Sequence, residues 1–473
     1  MLFMDFSQIL SVMNEYLEVV LITVLIFSGL YFTILFKGVQ FRSLPEMLAA
    51  VSEKKSYSAQ EAKSKKTLSS FQAFCVSAAS RVGTGNLAGI ATAISIGGPG
   101  AIFWMWTMAF MGSSSSFAEN ILGQLYKKRT ENGTYTGGPA HYIEKGLGKR
   151  WLGIIFAISL IICFGLGFNS VQSNTIASAL EKSFNIDPHY VGLVLAALTA
   201  YIIFGGDERV AKMASWIVPI MASLYILVSL YIMLINYAVL WDIFVLILSE
   251  AFSFKSFAGG LIGDQMKKAM LIGIKRGLFS NEAGMGSSPN VGASAQVSHP
   301  VKQGLTQTLG VFLDTLIICT CTAFLILLSN QHLDLSLRGI QLTQAATAFH
   351  VGDWGVYFIA FCVLLFAFSS IIGNHFYAEN NVRFISDNRW FILLYRVGIV
   401  AMVFFGSISA MDLVWDLADV SMSIMALINL VVILWLSPIA KKLYQDYLKQ
   451  KKEGKNPTFE KTTFPEIKNI DAW

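Results

Sequence analysis

The chain has 473 residues, 54% of them hydrophobic and 14% charged, with a mean hydropathy of +0.57 and a formal charge of +5. This balance excludes an ordinary soluble domain and marks a polytopic all-α membrane protein. Its basic residues gather beside the apolar segments, which excludes a nucleic-acid partner, and the longest hydrophilic stretches, 37–67 and 438–473, cannot house the nucleotide domain of an ATP-driven pump.

In chain order, the first apolar run is Tyr16–Phe36. It is preceded by Asp5 and Glu15 rather than a basic region, so a retained spanning helix is expected instead of a cleaved signal peptide. Ten further spans are expected, at 68–97, 100–127, 151–182, 190–204, 211–237, 262–297, 303–330, 341–373, 390–409 and 412–437. The short apolar segment 239–253, flanked by Gly259 and Gly260, is expected at the surface. The five cysteines (Cys75, Cys163, Cys319, Cys321, Cys362) all fall in apolar segments and read as reduced packing residues.

With eleven spans, most of the lysines and arginines fall on one side. The loop 37–67 alone carries Lys37, Arg42, Lys54, Lys55, Lys63, Lys65 and Lys66, and the opposite loops hold chiefly Lys182, Lys255 and Arg338. By the positive-inside rule the N-terminus lies outside and the C-terminus in the cytoplasm, across the cytoplasmic (inner) membrane.

Two spans are interrupted. Ser80–Gly100, SRVGTGNLAGIATAISIGGPG, breaks at Gly83-Thr84-Gly85-Asn86, and a second break falls at Gly284-Met285-Gly286-Ser287 within Lys275–Ser294. Glycine disfavours helix by about 1 kcal/mol relative to alanine, and unwound backbone is tolerated in a bilayer only where it is buried in protein or lines a cavity. The competing reading, small residues for close helix packing, explains either break alone but not their matched positions. GTGNLA also fits the dinucleotide fingerprint G-x-G-x-x-A, but no strand precedes it and the next acid, Glu119, lies inside the following apolar segment. Each break opens a block of five spans of nearly equal length, 83–237 and 284–437, and the charge rule gives the two blocks opposite orientations. That is the pattern of an inverted-repeat secondary transporter. The expected organisation is an N-terminal helix and basic loop (1–67), repeat A (68–237), an extracytoplasmic connector (238–261), repeat B (262–437) and a cytoplasmic tail (438–473).

Three stretches resemble the alanine/glycine:cation symporter family: Val82–Trp106 (VGTGNLAGIATAISIGGPGAIFWMW), Gly133–Ile143 (GTYTGGPAHYI) and Lys275–Pro289 (KRGLFSNEAGMGSSP). The resemblance implies a leucine-transporter-like 5+5 fold preceded by one extra helix, and sodium-coupled uptake of small neutral amino acids. Alanine, glycine or serine leads as substrate and glutamine stays open. Neither a cofactor beyond the coupling ion nor an obligatory protein partner is implied.

The chemistry can be argued from the residues themselves. A zwitterion needs donors for its carboxylate, which the amides of Gly83, Thr84 and Gly85 offer. Its ammonium needs oxygens, which Phe279, Ser280, Asn281 and the backbone at Gly284 offer at the second break. Asn86 is a neutral oxygen donor suited to a cation. Gln172, in the mid-membrane cluster Asn169, Gln172, Ser173, Asn174, is the residue expected to face substrate; inter-helix hydrogen bonding is the bland alternative. Ser369 and Ser370 are expected to face the carbonyls of Ala79 and Val82 around Na⁺, a placement the wider fold also implies, against simple back-bonding within their own helix. Arg81, Glu282 and Asp314 are intramembrane charges and hence functional candidates. Arg81 and Glu282 flank the breaks and are expected to pair as a clasp or gate. Phe279 is either a lid or core packing. No enzyme motif survives, and the six histidines are dispersed. Proton coupling, and outside the class a channel, are the alternatives.

Overall fold

Long apolar runs without water to compete for their backbone groups fold as helix, and helices dominate this chain. The computed structural model describes residues 6–53, 67–131, 133–205, 207–252 and 262–473. Asp5, Lys54, Lys55, Lys63, Lys65, Lys66, Lys255, Gly259 and Gly260, used above, lie outside the described residues.

Helix α1 (Phe6–Leu35) is about 45 Å long at 1.5 Å per residue. Two short helices follow, α2 (Val39–Arg42) and α3 (Leu44–Val51). The first interrupted segment is α4 (Ser70–Arg81), a π-helical turn at Gly85–Gly89, and α5 (Ile90–Gly97). A capping box starts α4: Gln72 N donates to Ser69 Oγ at 3.1 Å and Ser69 N to Gln72 Oε1 at 3.0 Å. Next come α6 (Ala101–Leu125), a two-stranded antiparallel hairpin of β1 (Lys128–Arg129) and β2 (Tyr135–Thr136), and α7 (Pro139–Leu147). Helices α8 (Arg150–Leu160) and α9 (Asn169–Phe184) run through a π stretch, Ile161–Phe168. Then follow α10 (Pro188–Ile203), α11 (Asp207–Ile235) and α12 (Leu240–Ala251).

The second interrupted segment is α13 (Ile262–Asn281), an open stretch, and the single turn α14 (Pro289–Gly292). Helices α15 (Val301–Phe312) and α16 (Thr320–Ser329) are joined by a third π stretch, Leu313–Cys319. The chain continues as α17 (Ile340–Val351), α18 (Trp354–Ile385), α19 (Arg389–Ile408) and α20 (Met411–Lys452).

Seven described helices are long and apolar enough to cross a membrane, and two shorter apolar helices, Gly85–Gly97 and Pro188–Ile203, join them. The protein is therefore a multi-pass membrane protein. Helices α6 and α13 are less apolar for a physical reason: α6 buries Ser113–Ser116, Glu119, Asn120 and Gln124, so its polar face looks into the protein and not toward lipid. Two boundaries differ from the sequence expectation. The stretch 341–373 divides at Gly352 (φ +81) into α17 and α18. Helix α20 continues past 437 to Lys452. Segment 239–253 forms the amphipathic α12, which exposes Trp241 and buries Ile247 and Ala251, the latter accepting from Trp104 Nε1 at 3.3 Å.

Helix α6 is central, packed by α1, α13 and α15. Close approach there depends on missing side chains: a Cβ on Gly304 of α15 would meet Phe117 Cδ2 at 2.8 Å and Phe117 O at 2.9 Å. Gly304→Leu should accordingly destabilise the protein by about 1–3 kcal/mol through overpacking. In detergent its melting temperature should fall several degrees below wild type, whereas Gly398→Ala, inside α19 with nothing described within 4 Å of the new Cβ, should melt at or slightly above wild type.

Candidate functional site

At the first break α4 ends on Val82 (φ −78, ψ 86), and the amides released there find side-chain acceptors. Gly83 N donates to Asn86 Oδ1 at 2.9 Å, and Thr84 N to Gln172 Oε1 of α9 at 3.0 Å. Thr84 Oγ1 is buried without a hydrogen-bond partner among the described residues. From α18, Ser370 Oγ lies 2.9 Å from Ala79 O, 3.4 Å from Val82 O and 3.0 Å from Phe366 O, so it faces both the opened carbonyls and its own helix. Ser369 does not join it. Adjacent helical residues point about 100° apart, and Ser369 Oγ turns to Phe366 O at 2.9 Å and Met221 Sδ at 3.7 Å. The expected serine pair is thus corrected to one serine.

The second break is held by a residue the sequence argument passed over. Glu119 of α6, fully buried, accepts from Gly284 N at 3.3 Å, Gly286 N at 2.9 Å and Asn429 Nδ2 at 2.8 Å. Gly284 and Gly286 both have φ near +84° (84 and 83), open to glycine and costly to other residues. Asn429 Nδ2 also reaches Gly284 O at 2.9 Å. Both backbone groups of Gly284 are thus bonded to protein side chains, which hold the turn in place. Glu119 carries the same signal that singled out Glu282 and Asp314, a carboxylate inside an apolar segment.

Asp314 joins the breaks. Its Oδ1 accepts from Asn86 Nδ2 at 2.6 Å, and its Oδ2 from Ser280 Oγ at 2.8 Å and Thr315 Oγ1 at 2.9 Å. Asn281 is turned inward, accepting from Ala283 N at 3.0 Å and donating to Thr315 Oγ1 at 3.2 Å. The breaks also touch directly, since a Cβ on Gly85 would lie 3.1 Å from Ser280 Cα and 3.2 Å from Phe279 Cδ1. A Cβ on Gly83 would collide with Ser370 Oγ and meet Gln172 Oε1 at 2.9 Å.

The Arg81–Glu282 pair does not form. Glu282, in the left-handed region at φ +57, is satisfied by Ser80 Oγ and Ser287 Oγ, each at 2.6 Å. Arg81 Nη1 donates to Gln307 O at 3.2 Å, while its Nε and Nη2 have no hydrogen-bond partner among the described residues. Hydroxyls nearer to the carboxylate outcompete the guanidinium. Phe279 stands between Phe168 and Trp415, with ring centroids 4.4 and 4.8 Å away, and Arg276 lies 4.4 Å above the Trp415 ring while pairing with Asp419. Of these neighbours the sequence argument named only Phe279.

Chemically, the site offers backbone amides, carbonyls, neutral amides and hydroxyls around a buried carboxylate, with no nucleophile–base pair. Among the described residues no group of His, Cys, Asp and Glu has the arrangement of a metal centre. A model of the sodium:alanine symporter family matches residues 3–461. The chain belongs to that family. It is 50% identical over 468 residues to the amino-acid carrier protein AlsT of Bacillus subtilis, covering 99% of this chain and 98% of the relative. It is 47% identical to the probable sodium/glutamine symporter GlnT of the same organism, covering 99% and 96% of the two chains. The sodium/alanine symporter AgcS of Methanococcus maripaludis is 36% identical, over 92% of this chain and 96% of the relative. This symporter is a transporter of amino acids with sodium and not an enzyme.

Gly85→Leu in the symporter should abolish amino-acid uptake while leaving the protein inserted and monodisperse, because the new side chain must displace Ser280 and Phe279. Normal uptake by that variant would reduce the first break to a packing feature.

Proposed function

We propose that the symporter carries small neutral amino acids inward with Na⁺ by alternating access, in a leucine-transporter-like arrangement of eleven spanning helices. In this reading α1 precedes two inverted units, 68–237 and 262–437, joined by the connector 238–261. The N-terminus is outside and the tail is in the cytoplasm, across the cytoplasmic membrane. The observation that carries the reading is the meeting of two interrupted helices at Gly85 and Ser280, with Asp314 bonded to both sides.

The substrate carboxylate lies on the amides at Gly83–Gly85, displacing Gln172 Oε1 from Thr84 N, with the buried Thr84 hydroxyl as a further donor. The ammonium meets oxygens at Phe279, Ser280 and Asn281. Phe279 covers Gly85 and favours a short side chain. Na⁺ sits among Ala79 O, Val82 O and Ser370 Oγ, beside the same unwound turn, with the buried carboxylates of Glu282, bonded to Ser80, and Asp314, bonded to Asn86, in the surrounding shell. Substrate and ion therefore raise each other's affinity by one common factor. Alanine leads, in line with the family description, and glutamine follows from the name of one relative. Proton coupling is the second reading, favoured by Glu119, Glu282 and Asp314, which are buried and form no ion pair among the described residues.

Uptake of labelled alanine and glutamine into proteoliposomes under an imposed Na⁺ or H⁺ gradient tests both readings. Uptake that follows the pH gradient and ignores Na⁺ would overturn sodium coupling. Ser370→Ala should raise the Na⁺ midpoint about 5–150-fold, the equivalent of about 1–3 kcal/mol for one lost polar contact. Ser369→Ala should leave it unchanged, and a shift of equal size in both variants would reject the single-serine assignment. A reporter fused after residue 473 should be active only in the cytoplasm; activity outside would break the eleven-span topology.

A further inference from the structure

Beyond α20 the chain does not trail away. Gly454 (φ +73) turns it, and residues 456–473 run back across the ends of helices from both repeats. Phe459 N donates to Ser298 O at 2.9 Å, Ser298 Oγ to Pro457 O at 2.8 Å, and Lys302 Nζ to Asn456 Oδ1 at 2.8 Å. These contacts tie the tail to the segment between α14 and α15. On the other side Asn469 Nδ2 donates to Lys145 O at 3.0 Å, and Asp471 pairs with Lys145 of α7 at 2.7 Å. Trp473 Nε1 donates to Gln124 O of α6 at 2.9 Å, with Lys127 Nζ 4.2 Å from the centre of its ring. Between these anchors the tail has an apolar core of its own. Phe459 meets Trp473 edge-on at 5.2 Å and stacks on Phe464 at 5.7 Å, and Ile467 and Ile470 are buried beneath.

The groups that the tail grips are the ones that hold the two interrupted segments together. Gln124 Nε2 donates to Ala295 O at 2.8 Å, and Lys127 Nζ reaches the same carbonyl at 3.4 Å. Ala295, just past α14, is bridged to Leu68, just before α4, where Gln296 N donates to Leu68 O at 3.0 Å. Thr67 Oγ1 closes the same corner on Gln296 Oε1 at 2.9 Å. A continuous path of contacts thus runs from Trp473 through Gln124 and Lys127 to the entry of the first interrupted helix and the exit of the second.

We propose that residues 456–473 are a strap that holds this face of the symporter closed by fixing the Leu68–Ala295 junction, and that its release is a step in opening the site toward the cytoplasm. The proposal rests on the alternating-access reading and on the orientation that puts the tail in the cytoplasm. Surface ion pairs such as Lys145–Asp471 contribute little. The strap's hold comes instead from the buried aromatic and aliphatic side chains and from the indole bonded to α6.

The test reads opening directly, without substrate or Na⁺, so that it is independent of what is carried. Ser70→Cys places a thiol in the first turn of α4, buried and bonded to Gln303 Nε2 at 3.0 Å, while all five native cysteines are buried and give a low background. In inside-out vesicles, labelling of this thiol by a membrane-impermeant maleimide should be about tenfold faster with Trp473→Ala, as expected for a population shift of that size. It should be faster again in a chain stopped after Glu453. Trp473→Phe, which keeps a ring against Phe459 and loses the bond to Gln124 O, should fall between wild type and Trp473→Ala. Equal labelling rates across this series, in protein that elutes as a single species, would overturn the strap. So would loss of insertion on removing the tail, which would make it a folding element. Absence of amino-acid uptake by wild type, with the labelling series intact, would count against the transport reading alone.

Discussion

Backbone that leaves the helix in the middle of a membrane protein has no water to bond, and each orphaned group costs free energy unless protein replaces the solvent. The two breaks meet that constraint differently, and much of the structure follows from the difference. At the second break a full carboxylate, Glu119, takes the amides of Gly284 and Gly286, and Asn429 takes the carbonyl of Gly284. Three donors converge on that one side chain and the turn's carbonyl is taken as well, so this turn is pinned. At the first break the acceptors are the neutral amide oxygens of Asn86 and Gln172. Those are weaker partners that an incoming carboxylate can outbid. In the proposed reading, the first break is the one left to an anionic ligand group.

Charge accounting points the same way. Glu119, Glu282, Asp314 and Arg81 are all almost wholly buried, and none has an oppositely charged partner within ion-pair distance among the described residues. Three carboxylates against one guanidinium leave the interior short of positive charge when all are ionised, and buried charge without compensation is expensive. In the proposed reading, cations entering with the substrate relieve that imbalance, and ion binding is tied to the geometry of the breaks. The hydroxyls of Ser80, Ser280, Ser287 and Thr315 keep the carboxylates solvated within the protein until then.

Position along the chain was legible in the sequence where the signal is local. Glycine, threonine and asparagine inside apolar runs locate both breaks, and Gln172 of α9, expected to face substrate, accepts from Thr84 N at the first one. What was not legible is direction and competition. Ser369 and Ser370 are equivalent as letters, and only the rotation of α18 decides that Ser370 meets Ala79 while Ser369 turns to Met221. Arg81 and Glu282 flank the breaks and carry opposite charges, yet nearby hydroxyls take the carboxylate first. Glu119 lies about 165 residues from the glycines it binds, a separation that no local pattern encodes. The three π stretches, which place Asn86, Phe168 and Asp314, have no sequence signature in these helices beyond a local enrichment in glycine at two of them.

The N-terminal helix lies outside the expected repeats, and its contacts give it a role in holding one side of the site. Glu18 of α1 pairs with Lys275 of α13, Lys275 lies 3.6 Å from Asp419 of α20, and Asp419 pairs with Arg276, which caps Trp415 beside Phe279. Two acids against two bases make this cluster neutral as a whole, unlike the unbalanced interior at the breaks. A neutral, mutually bonded cluster gains nothing from an added cation, whereas the carboxylates around Asp314 do. The chain thus separates its buried charges into a set that is satisfied by protein and a set that is not. Because the satisfied set abuts Phe279 and Phe279 abuts Gly85, any ligand that reshapes the first break must act against an aromatic wall braced by ion pairs. In the alternating-access reading proposed above, the response to binding is directed away from that wall, toward the N-terminal end of α4, where Leu68 and Ala295 meet through hydrogen bonds and no ion pair among the described residues.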